Sequence, residues 1–167
     1  MAGDLYRQIL SLRAIRTFDD RPLQENDLRA VLEAGRWTGT SKNRQNWSVV
    51  VVTDPSQRLR LAACGDFTDP IRRAPAALVL VQEPEGYEFD VGRVAQNLML
   101  AAAALGMVSC PITLHRDAEA ATVLELPAGR RSRYAVALGY PIPESSPARL
   151  GGRRPLDEFI HQDRYRG

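Results

Sequence analysis

Residues 96–113 read QNLMLAAAALGMVSCPIT and carry the strongest structural signal in the chain. They include the second half of a predicted helix over residues 90–107, which is apolar on every face from Leu98 to Leu105 and ends at Gly106. A helix without a polar face is buried in a core or at an interface, and four consecutive alanines allow a partner helix to approach closely. A predicted strand over residues 108–114 follows at once. The segment therefore predicts a buried helix that leads directly into a strand.

Shorter elements flank this segment on both sides. An apolar period of 3.6 residues at Leu28, Val31, Leu32 and Gly35 predicts a helix with acidic residues in its first turn and Arg36 near its end. The other predicted strands cover residues 47–52, 74–81 and 134–138, and the other predicted helices cover residues 4–12, 55–63, 117–126 (with Asp117 as its cap) and 156–160. Strands and helices intermix, so the class is α/β or α+β.

The composition is that of an ordinary soluble globular domain. At 167 residues, without an internal repeat or linker, the chain is predicted to form one domain over 1–167, with a Pro-, Gly- and Arg-rich tail over 143–167. The 22 basic and 20 acidic residues give a net charge of +2, which argues against a nucleic-acid partner. The longest apolar run is about half of the roughly 20 residues needed to cross a bilayer, and no signal-peptide pattern is present. We therefore expect a cytoplasmic protein without a membrane partner.

Signatures of other enzyme classes are missing from the sequence. No GxGxxG follows a strand, and neither a GxxxxGK[ST] loop nor a GxSxG turn occurs. Cys64 and Cys110, like His115 and His161, lack the spacing of metal ligands. We therefore expect no metal, and we expect both thiols to be buried and unreacted. Hydrolase and phosphotransferase functions are disfavoured.

Four segments together, in order and spacing, resemble the nitroreductase family over nearly the whole chain. They are LRAIRTF at 12–18, similar to RRSxRxF; TSKNRQNW at 40–47, similar to SxxNxQPW; residues 90–112, similar to the family's central helix with its QNL-x-LAA-x-x-LG pattern; and ALGYP at 137–141 followed by GRRPLDE at 152–158. The resemblance implies an α+β fold, an α/β sandwich with a central, mostly antiparallel sheet flanked by helices. It also implies a homodimer that holds FMN at the subunit interface.

The resemblance further implies a set of cofactor-binding positions. They are Arg13, Ala14 and Arg16 at the phosphate and pyrimidine ends of FMN; Thr40, Ser41 and Asn43, which reach the flavin from the second subunit; Pro111, Ile112 and Thr113 against the flavin ring; and Arg153 and Arg154 at the phosphate. Guanidinium groups suit phosphate oxygens, and hydroxyls and amides suit the ribityl chain. Thr113 is the implied catalytic position, because its backbone N–H would face flavin N5, the atom that accepts hydride.

The chain departs from the family pattern at several places. Leu12 replaces the first arginine, Ala14 replaces the serine, Asn46 replaces the proline, and Thr113-Leu114 stands where some members have Glu-Gly. Few residues separate the strand over 74–81 from the helix over 90–107, where larger members carry additional helices. A more open pocket is therefore expected.

Each candidate set also has a structural interpretation. Arg13 and Arg16 would then belong to a solvated helix end with surface ion pairs. Thr40, Ser41 and Asn43 would cap the turn before a strand, and residues 153–154 would form a loose basic tail.

The resemblance implies an FMN-dependent oxidoreductase. It would transfer hydride from NAD(P)H, through the flavin, to a nitroaromatic, a quinone or a similar small acceptor by a ping-pong mechanism. Three alternatives stand beside it. They are a flavin-binding storage or sensor protein without reductase turnover, an enzyme that uses the same fold for another flavin reaction, and a dimer without cofactor that serves protein interaction.

Overall fold

The centre of the molecule is a four-stranded antiparallel sheet. The computed structural model describes residues 3–148 and 151–165, so residues 149–150 and 166–167 of the predicted tail lie outside the described residues, as do residues 1–2. The strands are β1 (Trp47–Val52), β2 (Ala76–Gln82), β3 (Val108–Thr113) and β4 (Arg131–Gly139), in the order β1-β2-β4-β3. Both β1 and β3 are therefore edge strands. The predicted α+β class and antiparallel sheet are confirmed.

Helices cover both faces of the sheet. They are α1 (Asp4–Ser11), α2 (Glu25–Arg36), α3 (Pro55–Ala62), α4 (Asp69–Arg73), α5 (Glu88–Ala104), α6 (Asp117–Val123) and α7 (Leu156–Phe159), with a 3₁₀ turn at Ser41–Asn43. Successive strand residues point to opposite faces. One face packs its buried side chains with those of α3, α4 and α6, and the other face packs with α2 and α5. The result is a sandwich of helices, sheet and helices.

The central helix α5 is fixed in place by its end and by a close contact with α2. After Ala104, Gly106 adopts φ +72°, and the N–H groups of Gly106 and Met107 donate to the carbonyls of Ala103 and Ala102 at 3.1 and 2.9 Å. This is the glycine-dependent helix end that the sequence predicts. On α2, a Cβ added at Gly35 would lie 2.7 Å from Cδ2 of Leu98.

Several predicted boundaries differ from the structure. The predicted N-cap at Asp117 is wrong: Arg116 holds that position without a side-chain cap, and the Asp117 carboxylate instead accepts a hydrogen bond from Arg131 at 3.0 Å. Strand β4 begins at Arg131, three residues before its predicted start. Its first three residues are polar, with exposed Arg131 and Arg133 on either side of the buried Ser132, so the sequence shows no apolar run there. The predicted helices over 90–107 and 117–126 are α5 and α6, which end at Ala104 and Val123.

The N-terminal segment and the start of the tail are tied to the body of the protein. Gln8 donates its side-chain amide to the carbonyl of Leu100 on α5 at 3.0 Å, and the N–H of Ile15 donates to the carbonyl of Ser109 on β3 at 2.9 Å. Ser145 donates its hydroxyl to the Thr17 carbonyl at 3.0 Å. The segment after α1 therefore runs beside the outer edge of β3. From 151 to 165 every residue is exposed.

Candidate functional site

Three adjoining cavities form one groove that begins at the outer edge of β3 and continues between α5 and the face of the sheet. A middle cavity of about 370 Å³ is lined by Arg13, Ala14, Met99, Pro111 and Arg153, among others. A smaller cavity of about 190 Å³ shares the two arginines and the alanine and adds Arg16. An inner cavity of about 410 Å³ shares Pro111 with the middle one. We call these the middle cavity, the basic end and the inner cavity.

The basic end carries positive charge without a matching carboxylate. Among the described residues, no ion pair reaches Arg13, Arg16 or Arg153. Arg13 donates to the carbonyls of Leu10 and Leu12 at 2.7 and 2.8 Å, which holds its guanidinium at the end of α1. Three guanidinium groups that line one cavity are suited to a phosphate or another anion.

The positive charge of Arg16 also affects the pKa of a thiol on β3. Burial raises the pKa of the Cys110 thiol, and the positive charge of Arg16 opposes part of that rise. Both Cys110 and Cys64 are buried and form no disulfide, as the sequence predicts. The thiols therefore belong to the core rather than to the chemistry of the groove.

The backbone of β3 presents an N–H group to the groove. Leu114 donates its N–H to the carbonyl of Arg133 on β4 at 2.7 Å. In an antiparallel ladder such pairs alternate, so Ile112 also bonds to β4, whereas Pro111 and Thr113 turn their backbone groups outward. Proline has no N–H and suits an edge position. The Thr113 N–H is therefore directed away from β4, toward the open side of the sheet.

The inner cavity is mostly apolar, and a few polar side chains lie at its wall. Leu80, Val91 and other aliphatic residues line it, together with Thr113. Tyr134 lies opposite Thr113 in the register and donates its hydroxyl to the carboxylate of Glu88 at 3.4 Å. An apolar cavity with a few polar groups is the usual form of a small-molecule or cofactor site.

The loop that contains Thr40 and leads into Ser41 and Asn43 is attached to the face of α5 opposite this groove. Glu88, Val91, Gly92 and Ala95 of α5 line the inner cavity, whereas Asp90, Arg93 and Asn97 contact the loop before Ser41. At about 3.6 residues per turn these two sets occupy opposite faces of a helix about 10 Å thick. Within one chain, the point where the loop is attached and the groove are therefore separated by the thickness of α5.

The side chains of Thr40, Ser41 and Asn43 differ in hydrogen bonding and in exposure to solvent. The Thr40 hydroxyl donates to a carboxylate oxygen of Asp90 at 2.9 Å, so its proton is used within the chain. Ser41 and Asn43 are exposed. The structure therefore brings Arg13, Ala14, Arg16, Arg153 and Pro111–Thr113 to one groove and leaves Thr40, Ser41 and Asn43 outside it.

Arg154 is the other predicted residue that lies apart. Its guanidinium stacks on the Phe159 ring, 5.4 Å from the centroid, and it lines none of the three cavities. Sequence reasoning missed Gln96 and Met99, which α5 directs into the middle cavity. Their spacing of three residues places them on one helix face, but only packing determines which ligand groove that face meets.

In the described part of the chain, no group of three or more His, Cys, Asp or Glu side chains is placed to hold a metal ion.

None of the helices in residues 3–148 and 151–165 combines the length and apolar character needed to cross a membrane.

Comparison with known proteins identifies the family. The model of the nitroreductase family matches residues 9–85 and 67–140. The chain belongs to the nitroreductase family. Membership makes it an oxidoreductase, and the family predicted from the four sequence segments is confirmed.

Relatives from bacteria agree with this nitroreductase assignment. The chain is 26% identical over 173 residues to an oxygen-insensitive NADPH nitroreductase of Salmonella typhimurium, covering 92% of this chain and 71% of the relative. It is 26% identical over 179 residues to an NADPH-flavin oxidoreductase of Vibrio harveyi, covering 94% and 72%. The solved structure of an FMN-dependent nitroreductase from Clostridium difficile superposes with a TM-score of 0.82 at 22% identity, covering 95% of this chain and 98% of that one. That superposition confirms the nitroreductase fold.

Proposed function

We propose that this nitroreductase-family chain is an FMN-dependent NAD(P)H oxidoreductase that reduces a nitroaromatic, a quinone or a similar small acceptor. One observation carries the proposal. A single groove has three guanidinium groups without carboxylate partners at one end, and at its other end is a cavity lined by Thr113, whose N–H is directed away from β4. A flavin mononucleotide needs both features, an anion site for its phosphate and a hydrogen-bond donor in an apolar site for its ring. The named flavin and FMN activities of the relatives support the same cofactor.

The residues of the groove fit this cofactor. Arg13, Arg16 and Arg153 would hold the phosphate and the polar end of the ring, and Pro111 would lie against the ring without an N–H to desolvate. The Thr113 N–H would donate to the ring at its reactive edge. Ala14 lines the middle cavity and the basic end, where it contributes no hydroxyl, so the arginines would bind the phosphate without that contact.

The protein would contribute binding, orientation and electrostatics to the reaction. FMN, when bound, supplies a two-electron carrier that takes hydride from NAD(P)H and passes it to an acceptor. Arg16 would stabilise negative charge at the pyrimidine end, and the aliphatic wall of the inner cavity would exclude water. If NAD(P)H and the acceptor occupy the same open side of the bound flavin one after the other, the reaction follows a ping-pong order.

We further propose that the working form is a homodimer in which each copy completes the other's site. The loop carrying Ser41 and Asn43 lies across α5 from its own groove, so a second copy could supply it to the groove of the first. The surface supports association, because Leu5, Leu10 and Phe89 are 63%, 56% and 75% exposed. In a two-fold dimer the exchange would be mutual.

A hybrid dimer tests the shared site. Arg16→Ala changes the groove, and Asn43→Asp changes the loop while keeping a residue that tolerates a positive φ. Each variant alone should bind FMN weakly. Co-expressed with two different tags and purified through both, the hybrid has one site with both changes and one with neither, so it should bind tightly at about half the wild-type stoichiometry. If the hybrid binds no better than its parents, residues of two copies do not form one site.

A flavin-binding storage or sensor role is the second candidate. Leu12 and Ala14 line the groove without polar groups, and Thr113 replaces the glutamate of some relatives. Such a protein would bind FMN through the same arginines but would not turn over with NADPH or NADH. Reduction of the bound flavin by either nucleotide distinguishes the two roles.

A further inference from the structure

Three polar side chains of α5 hold the loop over residues 38–40 against the helix. A carboxylate oxygen of Asp90 accepts the Thr40 hydroxyl proton at 2.9 Å, and Asn97 donates its amide to the Thr38 hydroxyl at 2.8 Å. Between them, Arg93 donates to the Gly39 carbonyl. Residues 90, 93 and 97 follow the i, i+3, i+7 pattern and therefore lie on one face. We call these three side chains the α5 ladder.

Asp90 is the buried member of the α5 ladder. Only 8% of the residue is exposed, and its carboxylate lies 3.6 Å from the Arg93 guanidinium. A buried carboxylate is costly unless it is paired and hydrogen-bonded. Here both requirements are met by groups that determine where the loop lies: Thr40 belongs to the loop, and Arg93 bonds to the neighbouring Gly39. The energy of burying Asp90 is thus coupled to the loop position.

The loop directly after this attachment has an unusual backbone. Lys42, Asn43 and Gln45 have φ values of 53°, 52° and 53°. These values lie in the left-handed region of the backbone, which residues other than glycine rarely adopt. Such conformations are strained and persist only where surrounding contacts impose them. Clusters of them are characteristic of ligand-binding segments.

A second attachment closes the other end of the loop. The Asn46 amide donates to the Pro84 carbonyl at 3.3 Å, and the Glu83 N–H donates to the Asn46 carbonyl at 3.2 Å. The strained residues therefore lie between two fixed points, the α5 ladder and the turn after β2. Ser41 and Asn43 have exposed side chains, and their backbone groups bond only within the turn, where the Asn43 N–H donates to the Thr40 carbonyl at 3.1 Å and the Ser41 carbonyl accepts from the Arg44 N–H at 3.2 Å among the bonds described. The position of the turn relative to the body of the protein is therefore set by the two attachments.

We propose that Asp90 is a positioning residue for cofactor binding. Through Thr40, it holds the loop so that Ser41 and Asn43 are preorganised to contact the FMN bound in a second copy's groove. Preorganisation lowers the ordering cost of binding. This inference rests on the proposed function for the identity of the ligand, whereas the loop attachment itself does not.

Hydrogen exchange in the protein without FMN tests the attachment. Asp90→Ala should raise the exchange rate of the backbone amides over residues 40–46 by about tenfold or more, because it removes two contacts of the buried carboxylate. Asp90→Asn keeps an acceptor for Thr40 and should restore most of the protection. Thr40→Val, which removes the donor but keeps the shape, should resemble Asp90→Ala. Asp117→Ala removes an ion pair elsewhere and serves as the control.

Titration of the same variants with FMN tests the consequence. The affinity should fall in the order wild type, Asp90→Asn, Asp90→Ala, by about tenfold overall. Unchanged loop exchange in Asp90→Ala and Thr40→Val would overturn the inference while leaving the proposed function intact. Faster exchange with unchanged FMN affinity would overturn the cofactor role of the loop. If the wild type itself does not bind FMN, the proposed function fails, and the exchange rates alone then decide whether Asp90 positions the loop.

Discussion

Arg16 and Arg154 show how position rather than residue type separates a candidate ligand from a surface side chain. Both match basic positions of the family, but Arg16 lines the basic end of the groove and Arg154 stacks on Phe159. At the scale of single residues, the structure therefore distinguishes two arginines that match the same kind of basic position in the sequence.

Arg16→Ala is expected to weaken FMN binding by about ten- to a hundredfold, the usual effect of removing a hydrogen bond to a charged group. Arg154→Ala is the matched control and should change the affinity by less than about threefold. Fluorescence titration of FMN measures both constants. Equal losses in the two variants would contradict the placement of Arg16 in the site and of Arg154 outside it.

The direction of the Thr113 backbone illustrates what a sequence cannot provide. The motif predicts that Pro111, Ile112 and Thr113 end a strand, and the proline favours an edge position. Which N–H groups face outward depends on the register with β4, and a shift of one residue would reverse them. That register is a property of the folded sheet.

The contact between α2 and α5 gives a prediction at the scale of elements. Alanine at Gly35 would gain helix propensity, but its Cβ would lie 2.7 Å from Cδ2 and 3.1 Å from Cγ of Leu98, which is fully buried in the close-packed core. We expect Gly35→Ala to lower the free energy of unfolding by about 1–3 kcal/mol. Urea denaturation of the protein without FMN measures the change.

Gly92→Ala on α5 is the control for this prediction. A Cβ there meets no atom within 4 Å, so alanine should raise the free energy of unfolding by up to about 1 kcal/mol. A stabilising effect of Gly35→Ala similar to that of Gly92→Ala would show that the two helices adjust without cost.

Long elements were predictable from the sequence, and their ends were less so. The helix with an apolar centre and the β-branched strand β1 have strong periodic or compositional signals. Helix α4 has five residues, too few for a period of 3.6 residues to be recognised. The wrong cap at Asp117 has a local cause, because its carboxylate bonds to Arg131 on β4 rather than to the backbone of its own helix.

At the scale of the whole molecule, the sequence predicted the family and proposed candidate site residues, but it did not predict that α5 separates them. The four segments that carry the resemblance are separate in the chain, and their order says nothing about which face of the helix each one meets. The structure places the arginines and the β3 edge on one side and the Ser41–Asn43 turn on the other. That division gives a physical reason for the proposed two-copy site.

The absorption spectrum of the protein reconstituted with FMN, recorded without oxygen before and after NADPH or NADH is added, tests the central claim most directly. We expect bound oxidised flavin whose visible absorption bands bleach on addition of a nucleotide and return when a quinone or nitroaromatic acceptor is added. Bound flavin that neither nucleotide bleaches would contradict the reductase and favour a storage or sensor role. A protein that retains no FMN would contradict the proposed function altogether.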